Sequence, residues 1–192
     1  MQSIFRPALV ILLVLTLLTG VVYPLAVTGI AQAVFPKQAN GSAIAHNGVI
    51  VGSALIGQTF SADRYFHGRP SSAGSTGYDA SASSGSNLGP LSAKLHERIA
   101  ADAAKLKTST VRVVPADAVT ASASGLDPDI SPAFATLQIE RVAIARGVPI
   151  DKVAAIVAAQ TEHATIGVIG QPRVNVLRLN LALDAALGPA SG

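Results

Sequence analysis

The sequence contains no cysteine and no tryptophan, and only 4% of its 192 residues are aromatic. The absence of cysteine excludes disulfide bonds and thiolate metal sites, and it is compatible with an oxidising compartment. Scarce aromatic side chains argue against a surface on which nucleic-acid bases stack. The 14 Lys/Arg and 11 Asp/Glu residues form no basic cluster, so the formal net charge of +3 does not indicate nucleic-acid binding.

Catalytic signatures are also absent. The sequence has no Gly-x-Ser-x-Gly elbow, no phosphate-binding P-loop, no Gly-x-Gly-x-x-Gly and no His-Glu-x-x-His. The four histidines are isolated and lack the spacing of metal ligands, which favours surface or structural roles. The sequence therefore predicts no catalytic residue, no metal ligand and no cofactor-binding residue.

One long apolar run is present, at residues 8–34, and no charged residue falls between Arg6 and Lys37. A helix of about 20 residues rising 1.5 Å per residue covers the roughly 30 Å hydrocarbon core of a bilayer. The run therefore predicts a transmembrane anchor at 8–34, preceded by a short segment at 1–7 and followed by one domain at 35–192.

A cleaved signal peptide is the alternative interpretation of this run, with Ala31-Gln32-Ala33 as a small-residue cleavage site. Signal sequences usually have an apolar core of about 7–15 residues, and this run is longer, which favours a retained anchor. Arg6 before the span and Lys37 after it give only a slight charge bias. We expect residues 1–7 to be cytoplasmic and residues 35–192 to be extracytoplasmic.

Four residues of the span are candidates for helix packing. Thr16, Thr19 and Gly20 are small and could admit a second helix closely, although ordinary transmembrane composition explains them equally well. Pro24 is expected to kink the helix or to end its most regular part.

The remaining chain predicts one mixed α/β domain. Asn47-Gly48 between two apolar runs indicates a β-hairpin over 42–55 with a type I′ turn. Three aromatic residues, Phe60, Tyr65 and Phe66, are more typical of a core than of a ligand site. Residues 68–90 hold twelve Ser or Gly, which favours a flexible excursion over a binding loop. A helix is predicted over 91–107, with an apolar side that consists of Leu91, Leu95, Ile99 and Ala103. A short strand is predicted at 111–114.

The second half of the domain begins with a loop at 119–132. Ser131 and Pro132 are good first residues for a helix that runs to Arg146 and is closed by Gly147. We expect its buried face to include Phe134, Leu137, Ile144 and Ala145. Asp151 is expected to cap a helix over 152–162 that forms an αα-hairpin with its predecessor, and residues 173–187 predict a strand leading into a terminal helix.

Asp127 and Asp129 form the one carboxylate pair that could supply oxygen ligands to a hard cation. The further acids and central glycine of a calcium-binding loop are missing around them. Aspartate also bonds backbone N–H groups in turns before proline and near helix starts, so a structural role is the favoured interpretation.

Six stretches resemble, in order, motifs of the KdpC family: TGVVYPLAVTGIAQ (19–32), GSALIGQTF (52–60), YFHGRPS (65–71), SGSNLGP (84–90), VTASASGLDPDISP (119–132) and RVNVLRLNLALD (173–184). This family is the small subunit of the bacterial ATP-driven, high-affinity potassium uptake complex, Kdp. The resemblance implies a single-pass inner-membrane protein bound to a channel-like potassium-translocating subunit and a P-type ATPase subunit.

The resemblance also implies a function without independent catalysis: assembly or stabilisation of the complex, and an increase in the ATPase subunit's affinity for ATP as a catalytic chaperone. ATP and potassium would then act at the partner subunits. Because ATP binds on the cytoplasmic side, a direct contact would require a cytoplasmic domain, so an effect on ATP affinity is expected to be allosteric.

By motif position, Arg69, Ser86, Asn87, Asp127 and Asn175 resemble the family's characteristic polar residues. We expect them to fix loops at a subunit interface and assign them no reaction. Two other interpretations remain: an anchored extracytoplasmic hydrolase, for which no nucleophile stands out, and a secreted or anchored binding module.

Overall fold

The computed structural model describes residues 2–107, 113–164 and 169–188. The chain forms two compact units, Met1–Val51 and Gly52–Gly192. One long apolar helix at the amino terminus precedes a compact domain of helices and strands. The predicted fold class, mixed α/β with a single N-terminal apolar helix, is confirmed.

The N-terminal helix consists of α1 (Gln2–Leu17), a π-helical turn (Leu18–Val22) and α2 (Tyr23–Val34). Its candidate membrane span, Ile4–Val34, has a mean hydropathy of 2.5 over its most apolar 18 residues. None of the side chains in that stretch is buried within the chain. The helix is therefore long and apolar enough to cross a membrane.

The π-helical turn ends two residues before Pro24, the residue that is expected to kink the helix or to end its most regular part. Proline donates no main-chain hydrogen bond, and its ring collides with the carbonyl four residues earlier in a regular α-helix. In the wider π-turn the Tyr23 N–H donates to the Leu18 carbonyl, five residues back. The helix thus accommodates Pro24 by a local widening and continues beyond it.

A short helix, α3 (Pro36–Ala39), leads into the predicted hairpin of β1 (Ala43–His46) and β2 (Val49–Ser53). Asn47 and Gly48 have φ angles of 51° and 78°. These positive angles are those that a type I′ turn requires, so the hairpin and its turn are confirmed.

The domain contains a three-stranded antiparallel sheet in the order β3 (Asp129–Ile130), β5 (Arg173–Asn175), β4 (Thr161–Glu162). In the central strand, Val174 lies opposite Ile130 on one side and Thr161 on the other. The helices are α4 (Ala93–Leu106), α5 (Pro132–Arg146), α6 (Ile150–Gln160) and α7 (Val176–Leu187). Helices α5 and α6 pack together as the predicted αα-hairpin, and α7 follows β5 directly, also as predicted.

The core lies between the sheet and helices α5, α6 and α7. Its largest fully buried apolar side chains are Phe66, Leu179, Leu183, Val142, Val153 and Val174. Full burial of such a side chain contributes about 1.5–3 kcal/mol. Phe60 packs against this core, so Phe60 and Phe66 belong to it as predicted, whereas Tyr65, whose ring lies 5.8 Å from that of Phe60, is only partly buried.

Helix α5 begins and ends as predicted, but the prediction of its buried face is partly wrong. The Ser131 hydroxyl accepts the Phe134 N–H at 3.0 Å, and Gly147 ends the helix at φ 64°. Ile144 is 73% exposed and Ala145 is exposed as well. Ile144 follows Val142 by about 200° around the helix axis and so lies off the face that the core covers, which consists of Phe134, Ala135, Gln138, Ile139, Val142 and Ala143. Ala145, at about 300°, points in the same direction as Phe134 and Gln138 but lies in the last turn of the helix.

Three further predictions need correction. Asp151 lies in the first turn of α6, and Pro149 occupies the cap position. Leu91 precedes α4 and is 95% exposed, because that helix begins only at Ala93. Of the strand predicted at 111–114, residues 111 and 112 lie outside the described residues, and Val113 and Val114 belong to no strand.

Candidate functional site

The candidate site is built around the ion pair of Arg69 and Asp127. Arg69 Nη1 donates to Asp127 Oδ2 at 2.7 Å, and the two side chains are 23% and 29% exposed. The second oxygen of Asp127 accepts the N–H of Asp129 at 3.1 Å. Both carboxylate oxygens of Asp127 are thus hydrogen-bonded within the chain, and a structural role for this residue stays the favoured interpretation.

Tyr78 and Ser71 fix the loop that follows Arg69. The Tyr78 hydroxyl donates to the Arg69 carbonyl at 2.7 Å, and Ser71 Oγ donates to the Gly125 carbonyl at 2.6 Å. Burial, with a contribution from the Asp127 charge, raises the pKa of Tyr78 to about 12. The phenol therefore remains a hydrogen-bond donor at physiological pH.

The Gly/Ser loop at 68–90 packs against the segment at 122–126, which corrects the prediction of a flexible excursion. Ala73 is fully buried, and the Ser84 N–H donates to the Ser124 carbonyl at 2.9 Å. Gly125 has φ +67°, and a Cβ there would lie 2.6 Å from the Ser84 carbonyl oxygen. Small residues thus allow the two backbones to approach closely. Composition alone does not distinguish a loop that is closely packed in this way from one that is flexible.

Asn175 connects the sheet to the start of α7. Its Nδ2 donates to Asp129 Oδ1 at 3.1 Å and to the Ala54 carbonyl at 3.0 Å, and its Oδ1 accepts the Arg178 N–H at 3.1 Å. It is the cap residue of α7 and is 6% exposed. Burial raises the pKa of Asp129, although Asn175 and Arg173 favour its charged form.

The remaining predicted loop residues lie apart from this cluster. Ser86 is partly buried, whereas Asn87 is exposed and adopts a positive φ of 51°. Among the described parts of the chain, no hydrogen bond joins either residue to Arg69, Asp127 or Asn175. The structure therefore brings three of the five predicted residues together, and whether any of the five meets a partner stays a prediction.

The predicted packing residues of the N-terminal helix lie in and beside the π-turn. Thr19 and Gly20 belong to the turn, and Pro24 follows it in α2. Thr16 lies in α1 and is separated from the turn by one residue. The Thr19 hydroxyl donates to the Leu15 carbonyl at 2.7 Å. All four residues are exposed, and a role in helix packing stays a prediction.

Two buried amides that we did not single out in the sequence hold the segment before Arg69. Asn180, 1% exposed, accepts the Phe66 N–H at 2.8 Å and donates to the Phe66 carbonyl at 3.0 Å. Gln138 makes the same pair of bonds to His67, at 2.8 and 3.1 Å. The sequence does carry a signal for them, because Gln138 and Asn180 each stand among the apolar residues of a helix face. A buried amide needs hydrogen-bond partners, so such a position indicates a contact with another segment.

Comparison with known proteins places these features in a family. The family model described as K+-transporting ATPase, c chain, matches residues 5–185. Proteins named potassium-transporting ATPase KdpC subunit are similar to this chain in Caulobacter vibrioides, at 61% identity over 98% of this chain and 96% of theirs, and in Burkholderia vietnamiensis, at 56% over 98% and 99%. The corresponding protein of Gemmatimonas aurantiaca is 56% identical over 96% and 94%. The chain belongs to the KdpC family, the c chain of the K+-transporting ATPase.

Proposed function

We propose that this chain is the noncatalytic small subunit of an ATP-driven, high-affinity potassium uptake complex of the bacterial inner membrane. In this proposal it binds a channel-like potassium-translocating subunit and a P-type ATPase subunit and stabilises their assembly. The observation that carries the proposal is the family match over residues 5–185, which includes both the apolar helix and nearly all of the folded domain.

The contacts of the polar residues support a structural contribution. Arg69 bonds to Asp127, Asp127 accepts a backbone N–H, and Asn175 donates to a backbone carbonyl. Such bonds hold three separate chain segments in one arrangement, as a rigid surface for a partner requires. We assign no chemical step to any of these residues.

We further propose that any effect on ATP affinity reaches the ATPase subunit indirectly. We propose that the domain lies outside the membrane, which places it on the other side of the membrane from the cytoplasmic ATP site. The effect would then be an allosteric coupling, and coupling free energies are reciprocal. If this subunit tightens ATP binding by a given factor, ATP must tighten the binding of this subunit by the same factor.

Genetic replacement tests the proposal. A strain lacking this chain should fail to grow when potassium is scarce, and the full-length chain should restore growth while residues 34–192 alone should not. Normal growth of the deletion strain would contradict the proposal. Sequencing the amino terminus of the mature protein tests the anchor: Met1 or Gln2 supports retention, whereas Val34 would support the alternative of a released binding module.

A further inference from the structure

The chain contains two Asn-Gly pairs, Asn40-Gly41 and Asn47-Gly48, and both follow the apolar helix closely in the sequence. In such a pair the main-chain nitrogen of the glycine can attack the carboxamide carbon of the asparagine. Glycine permits this attack readily, because it has no Cβ to hinder the approach. The same reaction is therefore open to both pairs, and the structure of each pair decides how easily it occurs.

The carboxamide of Asn40 is fixed by three hydrogen bonds. Its Nδ2 donates to the Pro36 carbonyl at 2.7 Å and to Gln32 Oε1 at 3.1 Å, and its Oδ1 accepts from Gln32 Nε2 at 3.3 Å. The glycine nitrogen is occupied as well, because the Gly41 N–H donates to the Gln38 carbonyl at 2.9 Å. Attack at this pair requires that these bonds break together.

Asn47 and Gly48 form the exposed turn between β1 and β2. The Asn47 carboxamide makes no hydrogen bond to the parts of the chain that the structure describes. Gly48 belongs to neither strand, and a Cβ built on it would meet nothing within 4 Å, so water has access to the turn. The two strands form a sheet of their own, and a two-stranded hairpin is only marginally stable in water. This turn can therefore open at little cost.

We propose that Asn47 is a site of spontaneous deamidation and that the hydrogen bonds of Asn40 protect it from the same reaction. The Gly48 nitrogen forms a bond to Asn47 Cγ, the bond from Cγ to Nδ2 breaks, and the Gly48 proton leaves with the amide group as ammonia. Water then opens the resulting succinimide ring at one of its two C–N bonds. The products are aspartate and isoaspartate, and each has a negative charge in place of the neutral carboxamide.

The two products affect the hairpin differently. An Asp-Gly pair also favours a type I′ turn, so the aspartate product keeps β1 and β2 paired. Isoaspartate adds a methylene group to the main chain, and the lengthened loop no longer has the backbone angles that this turn requires. We therefore expect the hairpin to be lost only in the isoaspartate fraction.

Peptide mapping by mass spectrometry tests the inference on the full-length chain, incubated in detergent at mildly alkaline pH. The conversion of amide to acid is followed at Asn40 and at Asn47. A synthetic peptide of residues 36–51 in concentrated urea gives the rate at each pair without the folded structure and without Gln32. We expect folding to slow the reaction at Asn40 by about tenfold more than at Asn47, because the bonds that must break add to the barrier.

Equal slowing at the two pairs, or greater slowing at Asn47, would overturn the inference. Gln32→Ala removes two of the three bonds to Asn40, so it should raise the rate at Asn40 several-fold and leave the rate at Asn47 unchanged. An unchanged rate at Asn40 in this variant would overturn the protection by hydrogen bonds. Asn47→Gly is the control, because Gly-Gly also suits a type I′ turn and the variant must lose the signal that is assigned to Asn47.

Discussion

The side chains of Arg69 and Asp127 meet at 2.7 Å although the residues lie 58 positions apart in the chain. Their contact joins the Gly/Ser loop to the segment that leads into the sheet. We predict a coupling free energy of about 1 kcal/mol between Arg69→Ala and Asp127→Ala, because the pair is largely shielded from solvent.

A double-mutant cycle of urea unfolding in detergent measures this coupling. The Lys105–Asp102 pair on α4 serves as the control, since Lys105 is 75% exposed and its ion pair joins residues only three apart. We expect about 0.3 kcal/mol there. A coupling for Arg69 and Asp127 no larger than that of the control would show that their contact does not hold the loops.

Asn180 provides a second prediction, because its amide satisfies both backbone groups of Phe66 in the buried interior. Replacement by alanine leaves a buried N–H and a buried C=O without a partner, at about 1–3 kcal/mol each. We therefore expect Asn180→Ala to lower the free energy of unfolding by about 2–4 kcal/mol. Gln171→Ala, at an exposed position, should change it by less than about 0.5 kcal/mol.

Gly125 and Gly147 form a matched pair for the close approach of the two loops. Both have positive φ, at +67° and +64°, but a Cβ at Gly125 would meet the Ser84 carbonyl at 2.6 Å, whereas one at Gly147 would meet nothing within 4 Å. Gly147→Ala should cost about 1 kcal/mol for its conformation alone. Gly125→Ala should cost clearly more, because backbone atoms must move; equal losses in thermal unfolding would contradict this packing.

His67 predicts a specific dependence of stability on pH. Burial, reinforced by the Arg141 charge, lowers the pKa of its imidazole. Below pH 6.5 the unfolded chain therefore binds more protons than the folded chain, and stability is lost as the pH falls through the folded pKa. His67→Gln should flatten the loss of stability between pH 6.5 and pH 5. An unchanged slope would show that His67 does not contribute to it.

Elements with local signals could be predicted from the sequence. The Asn-Gly hairpin, the Ser131 cap and the Gly147 terminus each depend on a few neighbouring residues, and each was confirmed. The prediction of the buried face of α5 is wrong at the end of the helix, because Ile144 is as apolar as its buried neighbours. Which apolar residue faces the core depends on the packing partner, and the helix alone does not define it.

The candidate site was predictable only through the family resemblance. The motifs identified Arg69, Asp127 and Asn175, but the contacts that join them run between segments far apart in the chain. The Gly/Ser loop shows the same limit. Its composition is typical of flexible chain, and only the positions of Ser71, Tyr78 and Gly125 in space show that it is fixed.

Co-purification tests the central claim most directly. The chain, carrying an affinity tag, is isolated in mild detergent from its native membrane after potassium starvation, and potassium-stimulated ATP hydrolysis is assayed. We predict two larger membrane proteins in the preparation, together with that activity, and loss of both when residues 1–33 are deleted. Recovery of the chain alone and without activity would contradict its assignment as a stabilising subunit of a potassium-transporting ATPase.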